Sequence, residues 1–350
     1  MIVYYSVLVI LILNCCVSYI KVGRKTLNKT MFILSTLLLI FVSGFRYKVG
    51  TDYDTYKRLY TIYKTGPIVL WETPALYIIA RFSALIYDHY ATWFFIMAAL
   101  TIGLIMFGIY RNSVSIWFSV ALFLFIGVWH ESFNIVKQSA ALAVLFLGYK
   151  SIKFGKFFKW CVYCFFATLF HISAVFMVPV YFLARSEYFS IKKIIFVVVI
   201  TVLFAFLSDY LFNLMAWLKQ GDGVTESDSF LGERAVSWQR IIVAGAPLLF
   251  CFIFRKSYDF HDDEFRLLFY LSLLNFALYL FVASNSVYLA RITMYTNVFN
   301  ILFIPHLIKP FKKADRIIGI VLILTLYCIF WSYDLMKVPE TRNFYWIFGR

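Results

Sequence analysis

The chain alternates long apolar runs with short polar stretches, and the runs dominate. "IIFVVVITVLFAFL" (194–207) and "IIGIVLILTLYCIFW" (317–331) approach the length that an α-helix needs to cross bilayer hydrocarbon. Such runs recur from one end to the other and predict an all-α polytopic membrane protein of about 12 transmembrane helices. The predicted spans are roughly 1–20, 30–45, 91–110, 114–130, 132–149, 157–170, 172–185, 192–216, 240–254, 267–283, 289–307 and 317–333. Residues 1–350 read as one integral membrane domain.

Composition strengthens this picture. The chain is 63% hydrophobic and 15% charged, with a mean hydropathy of +0.81. No soluble core of 350 residues could hide so much apolar surface. "MIVYYSVLVILILNCCVSYI" has no basic residue ahead of its apolar core and is followed by "KVGRK". It therefore reads as a first transmembrane helix rather than a cleavable leader. All six cysteines fall inside predicted spans, and "CVYC" lacks a second ligand pair, so it reads as helix filler. The sequence contains no Walker loop, GxSxG elbow or HExxH motif.

The net charge of +15 is scattered between spans and argues for positive-inside topology, not for a nucleic-acid partner. Four basic clusters are expected in the cytoplasm: Lys21 to Lys29, Lys150 to Lys159, Arg255 with Lys256, and Lys309 to Arg316. Placing all four inside requires "TPALYIIARFSALIYDH" (73–89) to lie along the outer surface or re-enter, as Arg81 near its centre favours. It also requires 157–185 to cross twice, turning at "FHISA". Both termini then face outward, and loops 46–90 and 217–239 become the probable site-forming elements.

Polar chemistry concentrates on that outer face. Loop 46–90 begins "RYKVGTDYDTY", with Arg46, Asp52, Tyr53, Asp54 and Tyr56, and with Gly50 to turn the backbone. "HESFNIVKQ" follows with His130, Asn134, Lys137 and Gln138; its spacing of four and then three predicts one helical face. An intramembrane cation such as Lys137 is costly and points to function. His171 opens "HISAVFMVPV". "GERAVSWQR" supplies Glu233 and Arg234, and "YLARITMY" supplies Arg291 and Tyr295. Guanidinium forks suit phosphate oxyanions, aromatic faces suit sugar rings, and a carboxylate or histidine can take a hydroxyl proton.

"RYKVGTDYDTYKRLY", Glu72, the long block "FNIVKQSAALAVLFLGYKSIKFGKFFKWCVYCFFATLFHISAVFMVPV" and "ARITMYTNVF" resemble, in this order, the EpsG/Wzy type of bacterial polysaccharide repeat-unit polymerase. The resemblance implies a GT-C-like glycosyltransferase architecture in the bacterial cytoplasmic (inner) membrane. It implies polymerisation of undecaprenyl-pyrophosphate-linked repeat units at the outer face. Arg46, Gly50, Asp52, Tyr53, Tyr56, Gln138, His171 and Arg291 match the family pattern, whereas Lys137 stands where the family usually has arginine. On this reading Arg46, Arg234, Arg291 and Lys137 hold pyrophosphate. Asp52, or else Asp54, Glu233 or His171, is the base, and Tyr53, Tyr56, Gln138 and Tyr295 bind substrate. No cofactor is expected, and a divalent metal is compatible with these residues without being demanded by them. Membrane lipid, a chain-length regulator and a flippase are the expected partners. The rival readings are a lipid-oligosaccharide flippase, and a ligase or acyltransferase acting on surface glycans.

Overall fold

A computed structural model describes residues 1–22, 25–69, 73–185, 190–192, 194–197, 199, 237–282 and 287–348. They form two compact units, one of Met1–Tyr149, Phe158–Phe176 and Ile317–Arg350, the other of Lys150–Phe157 and Met177–Arg316. The helices in chain order begin with α1 (Ile2–Ser18), α2 (Asn28–Gly44), α3 (Tyr53–Thr65), α4 (Pro74–Ile86) and α5 (Tyr90–Asn112). Next come α6 (Ile116–Phe125), α7 (Val128–Glu131), α8 (Val136–Gly148), α9 (Lys150–Lys153), α10 (Phe157–Thr168) and α11 (Val180–Ala184). The series ends with α12 (Trp238–Ile253), α13 (Asp263–Val282), α14 (Val287–Asn297), α15 (Asn300–Ile308), α16 (Lys313–Lys337) and α17 (Pro339–Arg342). Two short antiparallel ladders pair β1 (Lys21–Val22) with β2 (Lys25–Thr26), and β3 (Arg46–Tyr47) with β4 (Tyr345–Trp346).

In the first unit α1 and α2 have 17 residues each and rise about 25 Å. The basic stretch around Lys21 turns the chain between them. Helix α5 is the hub, against which α2, α3, α4, α6 and α8 pack. Gly44 lets α2 approach closely: a Cβ there would stand 2.9 Å from the Phe95 Cα.

The same unit brings distant segments to one end. The Met1 ammonium donates to the Arg342 carbonyl at 2.7 Å, and the Tyr4 hydroxyl to Thr341 at 2.8 Å. Gly50 N–H donates to the Glu340 carbonyl at 3.0 Å, and Arg46 stands opposite Trp346 across the β3–β4 ladder. The start of α1, the first polar loop and residues 338–347 therefore meet at one end of this unit.

Among the described residues three helices are long and apolar enough to span a membrane: α5, α13 and α16. Along α16, Ile317, Ile318, Val321, Leu322, Leu326 and Ile329 are each more than half exposed. An apolar face of that extent calls for hydrocarbon rather than water. Helix α4 rises only about 20 Å over its 13 residues, and its exposed Arg81 donates to the Gly66 carbonyl at 2.7 Å. This matches a surface or re-entrant element better than a span.

The second unit is built around α13, which packs against α9, α11, α12, α14 and α15. All of α15 is buried. Phe157 packs edge-on against Tyr181 and tilted against Phe182, with centroids 5.1 and 5.2 Å apart, so the chain returns on itself between 157 and 182. Helix α10 ends at Thr168 and a 3-10 helix covers Ile172–Met177, which puts the turn at "FHISA". The predicted span 192–216 and loop 217–239 fall largely outside the described residues.

Candidate functional site

The stretch after α2 folds as the glycine suggests. Gly50 has φ +98° and lies hard against Asn134, whose Oδ1 a Cβ would overlap. Asn134 Oδ1 also accepts from Thr51 at 3.4 Å. Arg46, expected to hold pyrophosphate, is buried within the protein. It is 3% exposed, with its guanidinium between the Phe94 and Phe133 rings at 4.8 and 5.1 Å. It donates to the carbonyls of Ser43 and of Phe133, the latter at 3.0 Å. Burial draws its pKa down to about 10, which leaves it a cation at neutral pH. The cavity beside it holds about 10 Å³, enough for one water and too small for a phosphate. Arg46 is thus built into the packing of α2, α5 and the α7–α8 connection.

Residues 53–65 form a helix. Tyr53, Tyr56, Tyr60 and Tyr63 recur at helical spacing and form its buried face. Tyr53 stacks on Phe94 at 5.0 Å, and Tyr56, Tyr60 and Tyr63 surround Trp93 at 6.2–6.4 Å. Asp52 sits half-buried at the N-cap and Asp54 is exposed. Asp52 and Tyr63 are separated by about 16 Å of helix rise.

The expected single face for His130, Asn134 and Lys137 does not form. Helix α7 ends at Glu131 and α8 begins at Val136, so the intervening turn aims the three side chains at three different elements. His130 turns to Asp334, with Nε2 and Oδ2 3.3 Å apart, while its Nδ1 accepts from the Trp331 indole at 3.2 Å. Asn134 meets Thr51. Lys137 donates to the Tyr63 hydroxyl at 2.9 Å.

Around Lys137 the first unit assembles a polar cluster. The Tyr63 hydroxyl also accepts from Thr73 at 3.4 Å. Gln138, 5% exposed, donates to Ser173 Oγ at 3.5 Å and leaves its own Oε1 buried without a described partner. Ser173 Oγ is 2.7 Å from His171 Nδ1, which also accepts the Ser173 N–H at 3.3 Å. That backbone bond makes Nδ1 an acceptor, so neutral His171 carries its proton on Nε2. Ala75 N–H donates to Leu169 at 3.1 Å and pins the start of α4 to the His171 turn. Among the described residues no carboxylate pairs with Lys137. The cluster thus presents a cation, an amide with an open acceptor, hydroxyls and an imidazole donor.

Of the expected site residues, Lys137, Gln138 and His171 come together here, and Tyr63, Thr73 and Ser173 join them. The signal for Tyr63 was available in the 53-56-60-63 tyrosine spacing; Thr73 and Ser173 carried none. Arg291, half-buried, and Tyr295, fully buried, belong to α14 in the second unit. Glu233 and Arg234 lie outside the described residues, as does Glu72. Among the described residues no three His, Cys, Asp or Glu side chains gather as metal ligands.

No curated protein and no solved structure gives a significant match to this chain. The sequence profile of the EpsG family matches residues 29–347, which takes in α2, the polar loop, the Lys137–His171 cluster and the β4 strand. This helical membrane protein belongs to the EpsG family.

Proposed function

We propose that the protein polymerises lipid-pyrophosphate-linked oligosaccharide repeat units, undecaprenyl being the carrier, on the outer face of the bacterial cytoplasmic membrane. Membership of the EpsG family supports a polymerase of polysaccharide biosynthesis. The observation that carries the chemistry is the pair of chain neighbours at the start of α8: half-buried Lys137 reaches the Tyr63 hydroxyl, and Gln138 reaches Ser173 and through it His171 while its Oε1 stays buried without a described partner.

In this reading an acceptor hydroxyl attacks the anomeric carbon of the growing chain. The bond from that carbon to the pyrophosphate oxygen breaks, and its electrons leave with the lipid pyrophosphate. Lys137 and His171 Nε2–H stabilise the departing anion. Gln138 Oε1 accepts a sugar hydroxyl. The acceptor proton passes to a pyrophosphate oxygen, because the cluster itself offers mainly donors. Asp52 lies too far along α3 to serve that carbon and binds acceptor sugar instead, with Asp54 and Tyr56 alongside. Arg46 positions the loop. Arg234 and Arg291 hold pyrophosphate, and Glu233 and Tyr295 bind substrate.

Complementation of a deletion strain tests this. Losing one charge-assisted contact at the transition state is worth roughly 1.5–3 kcal/mol, or about ten- to hundredfold in rate. Lys137→Ala should collapse the polysaccharide ladder at normal protein abundance, and Lys137→Arg should retain much of it. A wild-type ladder from Lys137→Ala would remove the cluster from the reaction. In the deletion strain itself, single repeat units should reach the surface; their retention inside would favour a transporter.

A further inference from the structure

The 3-10 helix that follows α10 is capped by a side chain. His171 stands just ahead of Ile172–Met177, and Ala174 N–H donates to its carbonyl at 3.0 Å. Another donor at that helix start, Ser173 N–H, is met by His171 Nδ1 at 3.3 Å. His89 does the same at the start of α5, where its Nδ1 accepts from Ala91 N–H at 3.2 Å. A ring nitrogen in this position has to offer a lone pair, since a proton on it would face the amide hydrogen. The local fold thus makes Nδ1 of His171 an acceptor before any substrate arrives.

Ser173 Oγ lies 2.7 Å from the same nitrogen. Two lone pairs do not meet at that distance, so the hydroxyl points its hydrogen at Nδ1. A serine has one hydroxyl hydrogen to give, and this contact uses it. What remains on Oγ is acceptor capacity, and Gln138 Nε2 reaches it at 3.5 Å. Gln138 therefore turns its NH2 end to Ser173 and its carbonyl away. That carbonyl oxygen, Oε1, is the atom left buried without a described partner. One hydrogen thus sets the direction of the whole row, Gln138 to Ser173 to His171. Reversal would set Ser173 N–H against a protonated Nδ1 and present the Gln138 NH2 where Oε1 now lies.

We propose that Ser173 is the positioning residue of this cluster. Its hydroxyl holds His171 in the form that presents Nε2–H, a donor suited to an anion, and leaves Gln138 presenting a carbonyl, an acceptor suited to a sugar hydroxyl. The catalytic consequence rests on the transfer reading, the bond directions on geometry alone. Nitrogen NMR of the full chain, isotope-labelled at histidine in proteoliposomes, reads the directions without any activity. His171→Gln identifies the signals among the five histidines. Neutral His171 should carry its proton on Nε2, and Ser173→Ala should move the Nδ1 signal toward that of a free imine nitrogen. Gln138→Ala should leave that signal in place, because the hydroxyl hydrogen is already committed to His171. In cells, Ser173→Ala should cut polymer output about tenfold at normal protein abundance, as loss of one buried hydrogen bond does. Ser173→Thr should restore it, and Ser173→Ala should cost less in a Gln138→Ala background than alone. A proton on Nδ1 of neutral wild-type His171, or losses from the two alanine variants that simply multiply, overturns the proposal. A wild-type ladder from Lys137→Ala alongside the expected nitrogen signals ends the transfer reading and leaves the hydrogen-bond row standing.

Discussion

Arg46 is the residue whose role changed most between sequence and structure. An arginine directly behind an apolar run reads as a phosphate clamp at the head-group boundary. Here two carbonyls and two aromatic faces use it instead. Removing it would orphan those partners, at a cost of about 2–4 kcal/mol. Arg46→Ala should therefore lower protein abundance and melting temperature together, and Arg46→Lys should do so to a lesser degree. Chromatography and a melting curve read this without any activity assay. Asp52 gives a different kind of prediction. As an acceptor-binding group it should affect KM more than kcat, so Asp52→Asn should be largely rescued by excess acceptor. A kcat loss that excess acceptor leaves unchanged would return Asp52 to the role of base. These two residues show why a motif can mark unusual side chains without showing what surrounds them. Sequence marks which side chains are unusual; burial decides which of them can touch a ligand.

The spacing rules carried further for elements. Apolar runs predicted α1, α2, α5, α12, α13 and α16 closely, because a bilayer imposes length and polarity on every span. The turn at His171 was legible from charge placement alone. Two features were not. Helix α3 was hidden because tyrosine is both polar and aromatic, and its regular spacing was read as loop chemistry. The break between α7 and α8 was hidden because "HESFNIVKQ" satisfies a helical template while lacking a strong breaker at the turn itself. The β3–β4 ladder was also invisible, since a two-residue strand has no period to detect. It is nevertheless testable. Deleting residues 338–350 removes the partner of β3, the acceptor for Gly50 N–H and the acceptor for the Tyr4 hydroxyl. The ladder of surface polymer should vanish, and limited proteolysis should cut loop 46–52 faster than in the intact chain. Unchanged cleavage there would mean that the pairing is dispensable.

Across the whole molecule the open question is which side carries the polar loop. Cysteine accessibility answers it, and the structure improves the choice of position. Gly50 would be a poor probe, since a side chain there meets Asn134 at positive φ. Thr51 is exposed and tolerant. In a background freed of the six native cysteines, Thr51→Cys and Ser227→Cys should react with an impermeant thiol reagent applied to intact cells. Lys313→Cys, at the start of α16, should react only after permeabilisation. The reverse pattern would put the Lys137 cluster in the cytoplasm and end the reading as an outward-facing polymerase.

Tyr4 and Thr341 are 337 residues apart and share a hydrogen bond, and Gly50 waits for Glu340 in the same way. A ribosome adding about 5–20 residues each second needs roughly 15–60 s to supply the second half of that contact after the first has emerged. Throughout that interval the loop behind α2 lacks the partners that residues 340–346 supply. On the proposed function, polymer synthesis should begin only after residues 340–346 have joined that loop. A prematurely terminated chain, however well inserted, should therefore be silent rather than partly active.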